Sequence, residues 1–234
     1  MLANSLLFLA SATLALASPC VRSSPVLPVN GGAKELATPP SNLTLKHIAL
    51  GFGIQNYTCA SAGATATATG ALAMLYDIAH LYPGQSRIAL DNADWLTLTA
   101  DALDSQAVPL NLKTDGEPGA DPVNPFTAST ALTVNGLDLP FLGHHYFNAA
   151  GVPTFDLGSQ IFFGTKLDSV AAPSSAYSGP DGTGAVAWLQ LGDTGASVGI
   201  SYVYRVLTAG GNAHTCTEAG NDSTSYTAQY WYYG

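Results

Sequence analysis

The residues with the clearest capacity for chemistry are two adjacent histidines and a tyrosine, His144-His145-Tyr146. Near neutral pH an imidazole can serve as a general base or as a metal ligand. The run has the composition of a strand, and adjacent side chains of a strand point to opposite faces of the sheet. One surface would therefore present only one of the two histidines, and any site must recruit its other members from distant parts of the chain.

Asp156 and Arg205 are the distant residues that could complete a catalytic site. In this hypothesis His144 or His145 acts beside Tyr146 as base or metal ligand, Asp156 orients the imidazole, and Arg205 holds an anionic substrate. The alternative is that the histidine is a sheet residue hydrogen-bonded to its neighbours. No local ligand spacing supports a metal site, and we expect neither a metal nor a cofactor.

Two glycine motifs resemble known sites only in part. Gly51-Phe52-Gly53 begins like a dinucleotide fingerprint, but Asn56 stands where the third glycine belongs and no helix follows. The run 195–199 formally matches the G-x-S-x-G nucleophile elbow, which requires a helix after the serine, whereas a strand-like run follows here. Both motifs predict turns or strand irregularities.

The elements that would position these residues are short strands. Residues 45–50 and 54–59 form two strands or one strand with a glycine kink, and 71–82 favours a strand followed by a turn over a helix. Seven more strands are predicted, separated by turn residues, at Ala131–Val134, Phe141–Phe147, Thr154–Leu157, Ile161–Lys166, Val186–Leu191, Gly199–Thr208 and Tyr226–Tyr233. This pattern predicts an all-β fold, a single-domain β-sandwich or barrel with long surface loops and little helix. The longest predicted surface loop is the polar, proline-rich stretch Asp101–Ser129.

The N-terminus has the features of a secretory signal peptide. An apolar run of about 11 residues is too short to span a membrane. It is followed by Ala15-Leu16-Ala17, a pattern that fits cleavage after residue 17. We expect residues 1–17 to be the signal peptide, 18–44 an extended segment and 45–234 one β-rich domain. No later run reaches about 18 apolar residues, so no transmembrane segment is predicted.

Charge and modification signals agree with a secreted protein. The chain has 7 Lys and Arg against 16 Asp and Glu, a net charge of −9, which argues against nucleic acid as a partner. Asn42, Asn56 and Asn221 begin N-glycosylation sequons. Three cysteines remain after cleavage, so at most one intramolecular disulfide can form.

The chain resembles a secreted fungal and bacterial family numbered 3455 among the domains of unknown function. The matching stretches are Leu45–Gly51, Gln55–Cys59, Gly70–Asp77, Gly143–Phe147, Ala187–Leu189, Tyr204–Gly211 and Tyr230–Tyr233. The resemblance implies a β-rich extracellular domain and favours pairing of Cys59 with Cys216, which leaves Cys20 unpaired. Members are sometimes labelled malate dehydrogenase, a label that the incomplete fingerprint does not support.

These observations favour a non-catalytic binding or structural module that acts outside the cell or at the cell wall. Its expected partner is a cell-wall polysaccharide or a small apolar extracellular molecule. The closing aromatic residues 226–233 could stack on sugars or pack in the core, and core packing is the stronger interpretation. The alternative is a secreted enzyme with the His/Asp/Tyr-centred site described above.

Overall fold

Eight antiparallel strands close into a barrel in the computed structural model, which describes residues 24–234. The barrel strands are β1 (Leu45–Cys59), β2 (Thr67–Asp77), β5 (Phe141–Phe147), β6 (Pro153–Asp156), β7 (Ile161–Val170), β8 (Trp188–Asp193), β9 (Tyr202–Gly210) and β10 (Gly220–Tyr233). Their order around the barrel is β1, β10, β9, β8, β7, β6, β5 and β2, with β2 paired to β1. Of the two predicted architectures, the chain adopts the barrel.

Strand β1 is continuous through Gly51-Phe52-Gly53, so the one-strand interpretation is correct. It pairs along its length with β10 on one side and with β2 on the other. A Cβ atom on Gly53 would lie 1.9 Å from the carbonyl oxygen of Leu72 on the neighbouring strand. Glycine at this position permits the close approach of the two backbones.

Alternation along the strands divides the apolar residues into an inner and an outer cluster. On β1 the large side chains of Ile48, Leu50, Phe52 and Ile54 belong to the outer cluster, whereas the inner positions carry Ala49 and two glycines. Inner positions elsewhere bear aromatic rings, including those of Phe155, Phe162, Tyr226, Tyr230 and Tyr232. Small residues on β1 thus make room for these rings, as at Gly51, where an added Cβ would lie 2.4 Å from the ring of Tyr230 on the neighbouring strand β10.

A helix that the sequence analysis missed covers the outer cluster. Helix α1 (Asn92–Ser105) begins after Asp91, whose side chain accepts a hydrogen bond from the Asp94 backbone N–H as an N-cap. Its buried residues include Trp95 and Leu98, which face strand β10. Outside the barrel, the short strands β3 (Leu132–Val134) and β4 (Leu137–Leu139) form a hairpin.

The predicted loop Asp101–Ser129 requires two corrections. Residues 101–105 are the last turn of α1, because its apolar stripe continues through Ala102 and Leu103. The remainder is also not wholly on the surface, since Leu110 and Ala120 are buried. Two isolated bridges, Leu110 with Phe126 and Leu112 with Ala120, fold it back on itself.

The N-terminal expectations fall mostly outside the described residues, because the signal peptide 1–17 and Cys20 precede residue 24. Residues 24–44 contain neither helix nor strand. No helix from residue 24 onward combines the length and apolar character needed to cross a membrane.

Candidate ligand site in the barrel interior

A cavity of about 550 Å³ lies inside the barrel. Each of the eight barrel strands contributes at least one lining residue, which only an interior space permits. Gly151 and Val152, in the connection between β5 and β6, also line the cavity and mark the end of the barrel at which it lies. Its size falls within the range of about 300 to 1,000 Å³ typical of small-molecule sites.

The five residues of the predicted catalytic group divide between the two faces of the barrel wall. His145 and Arg205 line the cavity. His144 is paired with Asp156 on the neighbouring strand and with Met74 of the outer cluster. Tyr146 follows the same alternation and faces outward. The structure therefore brings two of the five together and separates them from the other three.

Outside the barrel, His144 lies beneath the loop that follows α1. Its ring centroid is 4.1 Å from that of Phe126, whose ring also contacts Tyr146 at 6.3 Å. Burial lowers the pKa of His144, and the Asp156 carboxylate opposes that shift. The Nε2 atom is buried and has no hydrogen-bond partner among residues 24–234.

Inside the barrel, His145 is a neutral histidine with a fixed tautomer. Its Nδ1 lies 2.9 Å from the carbonyl oxygen of Thr154. A carbonyl oxygen only accepts, so Nδ1 carries the proton and Nε2 is an acceptor. The ring stacks on Phe155 with 4.0 Å between centroids. Burial lowers the pKa of His145 to about 4, which the nearby charge of Arg205 reinforces and the bond to Thr154 opposes.

Arg205 occupies the cavity wall between Leu189 on β8 and Tyr230 on β10. Only 9% of the residue is exposed. Its Nε and Nη2 atoms donate hydrogen bonds of 3.1 and 2.8 Å to the carbonyl oxygen of Ala187. No carboxylate among the described residues forms an ion pair with it. The cavity thus contains a buried positive charge whose hydrogen-bond acceptors among residues 24–234, the Ala187 carbonyl oxygen and the Tyr230 hydroxyl, are neutral.

Three polar residues of the interior were not among the predicted site residues, although the sequence analysis favoured core packing for the run 226–233 that contains two of them. The hydroxyls of Tyr226 and Tyr230 are 2.9 Å apart, and burial raises the pKa of both phenols, so both stay protonated. Gln55 lines the cavity on β1, and its buried Nε2 has no hydrogen-bond partner among residues 24–234. The Gln55 side chain interacts with the Tyr226 hydroxyl without normal hydrogen-bond geometry, and this weak contact opposes the raised pKa of Tyr226. Period-two alternation from Gly51 and Gly53 could have placed Gln55 on the same inner face.

Apolar side chains complete the cavity wall. They include Ala71, Phe147, Phe155, Leu189 and Leu191. All except Phe147 and Leu189 are buried, and Phe147 is 39% exposed at the end of β5. The site consequently combines a hydrophobic surface with a few polar groups, as ligand cavities commonly do.

Elsewhere in residues 24–234, the candidates for a ligand, metal or sugar site are weaker. A groove of about 670 Å³ between residues 30–34 and 169–175 is formed largely by backbone and small side chains. No group of three or more His, Cys, Asp and Glu in the range 24–234 could hold a metal ion. The three tryptophans and residues 230–233 are buried, so none provides an exposed platform for sugars.

A disulfide joins Cys59, at the end of β1, to Cys216 in the connection between β9 and β10. This is the pairing that the family resemblance favoured. Of the three sequon asparagines, Asn42 and Asn221 are exposed and Asn56 is half-buried.

Comparison with known proteins identifies a family. The family model described as a protein of unknown function (DUF3455) matches residues 39–234. The chain belongs to that family. No curated protein and no solved structure matches it significantly.

Proposed function

We propose that this member of the family is a secreted binding module whose barrel interior accepts a small, largely apolar molecule. The observation that carries the proposal is the cavity of about 550 Å³, which residues from every barrel strand line and whose wall includes Ala71, Phe155 and Leu191. Burying the apolar surface of a ligand there gains about 25 cal/mol for each Å² removed from water. A rigid closed barrel also reduces the ordering cost of binding.

The wall of the cavity favours an apolar molecule over a polysaccharide. A polysaccharide chain needs an open, elongated surface with exposed aromatic rings, whereas the tryptophans of this chain are buried. A cavity within the barrel accommodates a compact molecule instead. Binding without catalysis is favoured because the residue proposed to orient the histidine is on the wrong face. Asp156 lies on the outer face of the barrel wall, whereas His145 lies on the inner face.

Secretion is supported by two features of the molecule. The Cys59–Cys216 disulfide suits an oxidising compartment. Exposed sequons at Asn42 and Asn221 leave space for glycans outside the barrel. Both features support a site of action outside the cell, at the wall or in the surrounding medium.

Fluorescence titration with the neutral apolar probe N-phenyl-1-naphthylamine tests the proposal. We expect saturable binding with one probe per chain. The variant Ala71→Leu adds volume to the cavity wall and should weaken binding by about tenfold, which corresponds to about 1.4 kcal/mol. Circular dichroism melting would confirm that the variant remains folded.

Ala100→Leu is the matched control. Ala100 lines a separate space of about 260 Å³ between α1 and residues 173–177, outside the barrel. Probe affinity should be unchanged in this variant. Absence of saturable binding to the unmodified protein, or equal losses in the two variants, would contradict the proposal.

A further inference from the structure

We infer that the ligand carries a carboxylate, which is bound inside the barrel by Arg205 together with the Nε2 of Gln55. This inference rests on the proposed ligand-binding function and adds a chemical class to it. The ligand is a small carboxylic acid with an apolar body, and its charged end lies at the β1, β9 and β10 side of the cavity.

The unbalanced charge of Arg205 is the first argument. A buried cation without an anion costs several kcal/mol, and proteins normally pair such groups. Among residues 24–234 the ion pairs are Lys34 with Asp168 and His214 with Asp222. Asp222 is the carboxylate to consider next, because Asp222 and Arg205 both affect the pKa of Tyr57. Its carboxylate, however, already accepts hydrogen bonds from the backbone N–H and the Nδ1 of His214. The Arg205 guanidinium can therefore form an ion pair with an anionic group of a bound molecule.

Gln55 supplies the second, independent argument. Its side chain is buried in the same cavity wall, and among the described residues the Nε2 donor makes no hydrogen bond of normal geometry, only a weak contact with the Tyr226 hydroxyl. Leaving a buried donor unsatisfied is unfavourable unless a bound molecule supplies the acceptor. A carboxylate has two oxygens and can accept from a guanidinium and an amide at once.

The remaining groups separate a polar end from an apolar end. The hydroxyls of Tyr226 and Tyr230 are hydrogen-bonded to each other, and Tyr230 is directly paired with Arg205. Around the rest of the wall lie Phe155 and Leu191. This arrangement fits a molecule that is anionic at one end and hydrophobic along its length.

Competition between two matched ligands tests the inference directly. Octanoate and 1-octanol have chains of the same length and differ in the charged group. At pH 7.5 octanoate should displace bound N-phenyl-1-naphthylamine at a concentration at least about tenfold lower than octanol does. Equal potency of the two ligands would overturn the inference while leaving the proposed function intact.

Two charge-removing variants assign the preference to a residue. Arg205→Gln should abolish the advantage of octanoate while the neutral probe still binds, which shows that the cavity is folded. Lys166→Gln is the matched control, because Lys166 lines the same cavity but is exposed. The advantage of octanoate should persist in this control.

The outcomes separate the two proposals. If the neutral probe fails to bind the unmodified protein, the proposed function fails. If the probe binds and the octanoate preference is lost in Lys166→Gln but kept in Arg205→Gln, the assignment to Arg205 is wrong. Should Arg205→Gln fail to fold, Gln55→Met tests the second donor and should reduce the preference about threefold or more.

Discussion

Titration of His145 should make the free energy of unfolding depend on pH. Its pKa is about 4 in the folded protein and about 6.5, the ordinary value, in the unfolded chain. Between these values the unfolded state binds a proton that the folded state does not. Stability therefore decreases as pH falls from about 6.5 to about 4, and this contribution levels off below that range. The full loss attributable to this residue is roughly 3 kcal/mol.

The variant His145→Gln isolates this effect from the carboxylates that titrate in the same range. Urea denaturation at several pH values should show that the difference in unfolding free energy between wild type and variant shrinks as pH falls from 7 to 4. A difference that stays constant would show that His145 does not titrate as described. In the unmodified protein, NMR titration of the imidazole offers an independent check and should show it neutral at pH 5.

Gln55 should be dispensable for stability although it is buried. Gln55 and Gln190 are both 7% exposed, but the Nε2 of Gln190 donates to the Tyr204 hydroxyl at 3.1 Å, whereas that of Gln55 makes no hydrogen bond of normal geometry with residues 24–234. Replacing Gln55 by Met removes an unsatisfied donor, so the unfolding free energy should stay the same or rise by up to about 1 kcal/mol. Gln190→Met should lower it by about 1 to 2 kcal/mol. Equal losses in urea denaturation would mean that Gln55 has a structural partner in the unliganded protein.

At the scale of elements, the contact between β1 and β2 depends on Gly53. An alanine Cβ there would lie 1.9 Å from the backbone oxygen of Leu72, and a backbone atom cannot turn aside as a side chain can. We expect Gly53→Ala to lower the unfolding free energy by at least about 2 kcal/mol. Gly63, in the connection between the two strands, has open space around it and a φ of 74°, so Gly63→Ala should cost only about 1 kcal/mol of backbone strain. Thermal or urea denaturation that ranks the two variants in the opposite order would contradict this account.

The strands were largely predictable from the sequence because their signals are local. Alternation and turn residues predicted β5 and β6 to within one residue at each end, and they predicted the end of β10 but not its start, which lies at Gly220 and not at Tyr226. Helix α1 was missed because residues 92–100 were assigned to no element and its last turn, from Asp101, was included in the polar, proline-rich loop. Asp91 and the spacing of Trp95, Leu98 and Ala102 nevertheless gave a capping and periodicity signal. Polar residues on the exposed face of α1 made its amphipathic pattern difficult to recognise.

Across the whole molecule, the site could be predicted only in part. Alternation predicted that His144 and His145 would face opposite sides, and this is confirmed by their pairing partners. It could not predict that His145 on β5 and Arg205 on β9 would share a cavity, because those strands are separated around the barrel by β6, β7 and β8. Their meeting depends on closure of the barrel by β1 and β10, a long-range contact without a local sequence signal.

The same closure determines what the disulfide should contribute. Cys59 and Cys216 enclose a separation of 157 residues, which strongly restricts the unfolded chain. In the folded protein, β1 and β10 already pair from Leu45 with Tyr233 to Cys59 with Gly220, so the bridge is not needed to hold the barrel closed. Replacing both cysteines by alanine should therefore lower the unfolding free energy by about 2 to 5 kcal/mol and leave probe affinity unchanged well below the melting temperature. Adding reductant to the unmodified protein should reproduce the loss in urea denaturation, and the double variant should be insensitive to it. If the folded double variant instead loses the probe, the bridge shapes the cavity itself, and the closed strand pairing alone does not maintain the ligand site.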